Sequence, residues 1–237
     1  MKSAAALKSK VRDLGLGYTH AQLEAADEFH RQFYGQHSVD PDGSIRFKHF
    51  GATTWMGTTA MMLPFDLMVI QEIIWGLRPD LIIECGTAEG GLSLFLCTMC
   101  EMVRHGNVVT IDNKKHQRSG HDLLTYRVGD TLDPEIHEPL AGWAKLCNRV
   151  MVILDDDHHR DHVFKELEVY SKMVTKGAYL IVCDTSLNGH PVFDFHGPGP
   201  WEAVHDWLPY HPEFVQDTMA EKFVVTNCPG GYLLRIK

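Results

Sequence analysis

Residues 81–91 read Leu81-Ile82-Ile83-Glu84-Cys85-Gly86-Thr87-Ala88-Glu89-Gly90-Gly91, and this stretch decides the fold. The apolar run predicts a strand, Leu81 to Glu84, without the polar alternation of a half-exposed sheet, so both of its faces are covered. The apolar periodicity resumes at Gly91 and predicts a helix to Val103. Strand, glycine turn and helix in that order let the backbone approach a bound nucleotide at the ligand-facing end of a first crossover. The spacing is Gly-x-x-x-Gly-Gly. It lacks the Gly-x-Gly-x-x-Gly that seats a pyrophosphate on a helix N-terminus, so pyrophosphate is disfavoured. Glu84 suits the amino group of a methionine moiety better than an anionic phosphate. A structural glycine turn is the competing reading.

Downstream, strand and helix alternate. Strands are predicted at Asn107 to Asp112, near Tyr126 to Val128, at Val150 to Asp155 and at Ala178 to Asp184. Helices are predicted at Pro134 to Leu146, His162 to Val174 and Pro200 to Leu208. Two final strands are expected around Phe223 to Thr226 and Tyr232 to Ile236. Only Asn227-Cys228-Pro229-Gly230-Gly231 separates them, too short for a helical crossover, so they should pair antiparallel. The expected fold is therefore α/β and Rossmann-like: a mostly parallel seven-stranded sheet closed by a C-terminal antiparallel hairpin, the ending usual in class I methyltransferases. Asp112, 26 residues beyond Gly86, stands where a carboxylate accepts hydrogen bonds from both hydroxyls of a ribose. Gly129-Asp130 follows the third strand and could set a carboxylate beside an adenine edge, although Gly-Asp is also an ordinary turn.

Upstream, Thr19 can cap a helix to about Tyr34 with Leu23, Ala26, Phe29 and Phe33 on one face. From Gly35 to Gly57 the pattern breaks into a loop long enough to be a lid or substrate wall. Pro64 opens a mostly apolar helix ending near Gly76. The domain reading is an N-terminal helical extension and active-site loop over residues 1–60, then a catalytic domain over residues 61–237.

Composition narrows the function classes. With 22 Lys+Arg against 31 Asp+Glu the formal net charge is −9, which works against a phosphate-gripping nucleic-acid binder. A small-molecule partner is expected. The chain has no 18-residue apolar run, and Met1 to Gly17 lacks the apolar centre of a secretory signal, so no membrane partner and a cytoplasmic location are expected. Six scattered cysteines suit reduced thiols; Cys97-Thr-Met-Cys100 has redox spacing but lies in an apolar helix pattern and reads as buried packing. Apolar faces on the N-terminal helices suggest a homo-oligomer.

Val150-Met151-Val152-Ile153-Leu154 runs into Asp155-Asp156-Asp157-His158-His159. Like charges crowd at that strand end unless a cation or hydrogen bonds compensate them, and Asp184 ends the adjacent strand on the same sheet edge. Oxygen ligands from two strands suit Mg²⁺ or Mn²⁺; a solvated acidic turn without metal is the alternative. His158 is the candidate general base and His159 its substitute, unless both are surface residues at a helix start. His196, in the Gly/Pro-rich loop from Gly189 to Pro200, could wall the acceptor pocket.

These residues resemble the cephalosporin-hydroxylase and rhamnosyl O-methyltransferase family. The resemblance is carried by Thr53-Thr54-Trp55-Met56-Gly57-Thr58, Gln71-Glu72-Ile73-Ile74-Trp75, Arg78-Pro79-Asp80 with the strand and turn quoted above, Gly90-Gly91-Leu92-Ser93, Leu154-Asp155-Asp156-Asp157-His158, His162 through Tyr170, and Asp184-Thr185. It implies an S-adenosylmethionine-dependent, divalent-metal-assisted O-methyltransferase of a small secondary metabolite or sugar. It also implies that Glu84, Gly86, Gly90, Gly91, Ser93 and Asp112 surround the cofactor, with Thr87, Asp130 and Asp155 counted in the same set. By the same resemblance Trp55 and Met56 lie near the transferred methyl group, and Asp157 and Asp184 hold the metal, Asp157 also serving catalysis beside His158. Metal-binding relatives usually carry Glu where this chain has Cys183. Cys183 is either a thiolate ligand favouring Fe²⁺, Co²⁺ or Zn²⁺, or a bystander. In catechol-type methyltransferases, which the architecture also resembles, a basic residue follows the strand-ending aspartate by three positions, the offset of His158 from Asp155. A non-haem iron hydroxylase, which needs two histidines and a carboxylate, and a non-catalytic cofactor-binding partner in a biosynthetic complex remain as alternatives.

Overall fold

The computed structural model describes residues 15–35, 37–39, 41, 45–115 and 120–237. The N-terminal stretch read for a leader segment lies almost wholly outside the described residues. No helix among them is long and apolar enough to cross a membrane.

The helices are α1 (His20–Gly35), α2 (Pro64–Leu77), α3 (Gly91–Val103), α4 (Pro134–Ala144), α5 (Arg160–Tyr170) and α6 (Pro200–Trp207). The strands are β1 (His37–Val39), β2 (Ile45–Phe47), β3 (Thr54–Trp55), β4 (Thr58–Thr59), β5 (Leu81–Cys85), β6 (Asn107–Asp112), β7 (Leu124–Val128), β8 (Val150–Leu154), β9 (Tyr179–Val182), β10 (Phe214–Gln216) and β11 (Tyr232–Arg235). Seven of them form one sheet in the order β10-β11-β9-β8-β5-β6-β7, parallel from β9 to β7. Strand β11 runs antiparallel to both of its neighbours. This is the expected class I methyltransferase sheet.

Every residue of β5 and β8 is buried, which is why their sequences are apolar throughout. From β5 the chain winds outward through β6 and β7, then returns to the other side of β5 as β8 and β9. The order therefore reverses between β5 and β8, and ligands of open α/β sheets bind in the crevice at the carboxyl ends of the strands at such a reversal. Asp155 N donates to Cys85 O at 2.7 Å and Cys183 N to Leu154 O at 2.9 Å, so the ends of β5, β8 and β9 are level.

Three expectations need correction. The loop from Gly35 to Gly57 contains the β1–β2 pair, a 3₁₀ turn at Phe50–Ala52 and the first strand of the β3–β4 hairpin. Phe223 to Thr226 is not a strand; β11 pairs instead with β10, from which fifteen residues separate it in the chain. The cause is a buried carboxylate. Asp66 on α2 accepts from Asn227 N and Tyr232 Oη at 2.8 Å each, and from Thr226 Oγ1, so the backbone of this segment is drawn to α2. Finally, the inward face of α1 carries Leu23, His30 and Tyr34, while Phe29 is half exposed. Gln22 N does bond Thr19 Oγ1, at 3.3 Å, as a capping threonine should.

Burial lifts the Asp66 carboxyl to about 6, against the pull of its hydrogen bonds from Thr226, Asn227 and Tyr232. An acid raised in the folded state stabilises below its unfolded pKa near 4 and loses that contribution as pH rises through about 6. Asp66→Asn keeps the shape and removes the ionisation. Its stability relative to wild type should improve by about 1–3 kcal/mol between pH 4.5 and pH 8, measured by urea denaturation at both values; a pH-independent difference would refute the account.

Candidate functional site

The site lies at the carboxyl edge of β5, β6, β8 and β9. Gly86 sits at φ +95°, and a Cβ placed there would stand 2.1 Å from Asp155 O. The turn after β5 thus lies directly on the turn after β8. Gly90 caps α3 at φ +89°, also in the left-handed region. Gly91 is constrained from elsewhere: a Cβ would meet Thr59 O at 2.3 Å, so this glycine admits the β3–β4 hairpin.

Glu84 is fully buried, and Ser93 Oγ donates to its Oε2. Asp112 accepts from Ala88 N at 2.9 Å and Lys114 N at 2.8 Å, which ties the end of β6 to the glycine turn. Thr87 faces inward, its hydroxyl 2.6 Å from that of Thr110 on β6. Asp130 is exposed and accepts from Leu132 N at 2.8 Å, a turn-forming bond. Trp55 is packed on α3: its Nε1 donates to Thr98 at 3.1 Å and its ring meets Phe95 edge-on at 4.9 Å. Met56 is at the hairpin tip, 80% exposed. The hairpin therefore docks on the outer face of α3 through Trp55.

The metal group expected at Asp157, Cys183 and Asp184 is not the one that converges here. Asp155, His158 and Asp184 bring one ligand atom each within 4.8 Å of one another. His158 Nε2 lies 3.2 Å from Asp184 Oδ2. Asp157 turns outward and accepts from His159 N at 2.7 Å and His159 Nδ1 at 2.8 Å; these bonds outweigh its partial burial and hold its carboxyl low. Cys183 packs in the core with its thiol against that of Cys228, and this contact and its burial push the thiol well up, the setting of a bystander. Cys97 and Cys100 are likewise buried and pushed up to about 12 and about 11.

Burial raises the Asp155 carboxyl, and the charges of Asp184, Glu84, Asp156 and Asp66 add to the shift. Burial raises Asp184 too, while His158, His196 and a hydrogen bond from Tyr34 pull it back. A half-buried and a buried carboxylate thus share one imidazole. A second group stands beside them: His162 Nε2 is 3.4 Å from Asp156 Oδ2 and 3.8 Å from Glu166 Oε1. Those acids raise His162 to about 10, an imidazolium held between two carboxyls that ties the β8–α5 turn to the helix. His196 Nε2 donates to His158 O at 3.2 Å, and its ring is 6.4 Å from that of His158. One imidazole and two carboxylates converge here, not the two histidines and one carboxylate of an iron hydroxylase.

The chain matches the family described as Rhamnosyl O-methyltransferase/CmcI over residues 48–236. It belongs to that family. Rhamnosyl O-methyltransferase of Mycobacterium bovis (strain BCG / Pasteur 1173P2) is 32% identical over 219 residues, covering 89% of this chain and 84% of the relative. The protein of the same description from Mycobacterium leprae (strain TN) is 31% identical over 218 residues, covering 89% and 90%. An apo structure of CmcI superposes with a TM-score of 0.64 at 18% identity, covering 84% of this chain and 82% of that one. CmcI solved with Mg and SAM gives 0.63 at 17% identity, covering 87% and 84%. With this family comes the enzyme class, an S-adenosylmethionine-dependent O-methyltransferase.

Tyr34, His162 and Glu166 escaped the sequence reading as site residues. His162 and Glu166 carried a signal, an i, i+4 His/Glu pair at the start of α5. Tyr34 carried none, because 150 residues separate it from Asp184.

A cleft of about 660 Å³ lies at the opposite edge of the sheet and is lined in part by Lys145, Lys172, Lys176 and Arg235. Lys145 caps the carboxyl end of α4 and Lys172 follows that of α5, while Arg235 Nη1, from β11, donates to Ser171 O and Val174 O. They offset helix-end carbonyls, which is sufficient reason for their charge.

The close approach at Gly86 is testable. Gly86→Ala should cost on the order of 2–4 kcal/mol by urea denaturation. Gly57→Ala, at the open hairpin tip with no atom within 4 Å of its Cβ, should cost about 1 kcal/mol. Equal losses would mean that the two turns are not in contact.

Proposed function

We propose that this protein is a divalent-metal-assisted O-methyltransferase acting on a hydroxyl of a small secondary metabolite or sugar. The observation that carries the metal is the half-buried carboxylate of Asp155 and the buried one of Asp184 meeting one imidazole, His158, at the sheet reversal. Mutually repelling acids in a buried site are poised for a cation, and mixed O/N donors suit Mg²⁺, Mn²⁺ or Fe²⁺. Support for the acceptor class comes from relatives described as rhamnosyl O-methyltransferases, and support for magnesium from the CmcI structure solved with Mg and SAM.

Asp184, Asp155 and His158 would hold the cation, and Asp157, two residues from Asp155, would join only by giving up its bonds to His159. When bound, the cation lowers the pKa of an acceptor hydroxyl and S-adenosylmethionine supplies the methyl group. The protein must align that oxygen with the sulfonium axis and remove its proton. With His158 taken up in holding the cation, His159 would accept it, and His196 with the loop around it would wall the acceptor off from water. For the cofactor, Asp112 would meet the ribose, Glu84 with Ser93 the amino end, Gly86 and Gly90 would give close backbone approach, and Asp130 would lie at the adenine edge. Trp55, Met56, Thr87 and Gly91 would shape this pocket through packing. A small-molecule acceptor and a homo-oligomer complete the reading, the latter favoured by Phe65, Met68 and Trp75 exposed along α2.

Calorimetry of S-adenosylmethionine binding with and without Mn²⁺ tests this. Asp112→Ala should weaken cofactor binding by on the order of 100-fold, a loss of charge-assisted hydrogen bonds. Asp155→Asn and Asp184→Asn should keep cofactor binding and lose its dependence on Mn²⁺. Asp157→Asn should retain that dependence; if it alone loses it, Asp157 is the ligand in place of Asp155. No cofactor binding by the wild type would sink the proposal.

A further inference from the structure

His162 and Glu166 stand one turn apart on α5 and so share a face, and Asp156 reaches them from the turn after β8. One imidazole nitrogen and one oxygen from each acid lie within 4.8 Å of one another. Around His162 Nε2 are Thr131 Oγ1 at 3.3 Å, Asp156 Oδ2 at 3.4 Å and Glu166 Oε1 at 3.8 Å. All three exceed the roughly 2.7–2.9 Å of a charge-assisted N–H···O bond. The same chain closes such pairs to 2.6 Å at His105 and Asp80 and to 2.8 Å at His159 and Asp157. Glu166 supplies an independent observation. It is fully buried, and neither of its carboxylate oxygens has a hydrogen-bond partner among the described residues. A buried acid is costly in that state unless something else meets its oxygens.

The spacing suits an ion at the centre of the group. In a tetrahedron with bonds of about 2.0–2.1 Å, neighbouring ligand atoms lie about 3.4 Å apart. From His162 Nε2 the two acids stand at 3.4 and 3.8 Å. One imidazole with two carboxylates is a borderline donor set, which favours Zn²⁺ over Mg²⁺. An outer layer already orients it: Thr131 Oγ1 donates to Asp156 Oδ2 at 3.0 Å, and Tyr170 Oη donates to Thr131 O at 2.8 Å. Side-chain exposures of 22% for His162 and 19% for Asp156 leave an ion a way in. We propose that Asp156, His162 and Glu166 form a second cation site, of the zinc class, sharing no ligand with Asp155, His158 and Asp184. A zinc ion there takes the place of the proton that His162 otherwise carries, keeps a fourth position for water and clamps the acidic turn to α5.

The test is zinc uptake by metal-free protein, dialysed against Zn²⁺ with a competing chelator and measured by atomic emission. The double variant Asp184→Asn/His158→Ala, which dismantles the Asp155 site and leaves the second site whole, should bind about one zinc ion per chain. Adding Glu166→Gln, which keeps the shape, or His162→Gln should weaken that binding by more than roughly 100-fold, beyond the loss of an outer partner. In the wild type, Glu166→Gln alone should lower the zinc count by about one ion per chain. Zinc should raise the melting temperature of the double variant and not that of its Glu166→Gln derivative. No zinc on the double variant overturns the second site, whatever the wild type binds. Undiminished zinc after Glu166→Gln and His162→Gln overturns it too, and assigns the ion to surface histidines. Should neither of those substitutions permit folding, the zinc-dependent rise in the double variant's melting temperature decides, and its absence overturns the site.

Discussion

The backbone of Gly86 rests against the carbonyl of Asp155, and the rest of the site depends on this contact. It brings the turn after β5 and the turn after β8 closer than any residue with a side chain would permit. The first turn leads into the glycine-capped start of α3, the second into the acidic run and α5. Because β5 and β8 are also the strands between which the sheet order reverses, the contact forms the floor of the crevice. The bonds from Gly86 N to Ile111 O and from Ala88 N to Asp112 extend the same alignment to β6.

On that floor the dominant force is repulsion between carboxylates. Glu84, Asp155, Asp156, Asp184 and, behind them, Asp66 lie close enough to act on one another's ionisation. The fold manages each differently. Asp66 is wrapped by three donors, Asp156 has the His162 imidazolium, and Glu84 has the Ser93 hydroxyl. Asp155 has least, since burial and its neighbours' charges all act against its ionisation, and with Asp184 it meets His158. An acidic group left with the least internal compensation at the mouth of a crevice is where a cation would gain most.

The second apolar cluster gives this edge a wall. Residues from α1, from the segment before α2 and from the loop after β9 pack together away from the sheet. A wall assembled from three separate pieces of chain can vary without disturbing the sheet, which is how one fold serves different acceptors.

Much of this was legible in the sequence. The buried strands announced themselves as unbroken apolar runs, and Gly86, Asp112 and Asp184 could be placed at strand ends because parallel pairing makes those ends level. What failed was whatever depended on partners distant in the chain. Phe223 to Thr226 has the composition of a strand, but Asp66 on α2 claims its neighbours' donors. Asp155, Asp156 and Asp157 are indistinguishable as letters. Only the turn after β8 decides that the first faces Asp184, the second His162 and the third His159, because successive residues leaving a strand point in different directions. Tyr34 looked like one more aromatic at the end of an amphipathic helix. The sequence by itself determined the sheet and the edge where chemistry occurs, since hydrophobic period and glycine position are local properties. Tertiary structure alone decided which carboxylates converge and that α1 reaches them, since those contacts join residues that the chain keeps far apart.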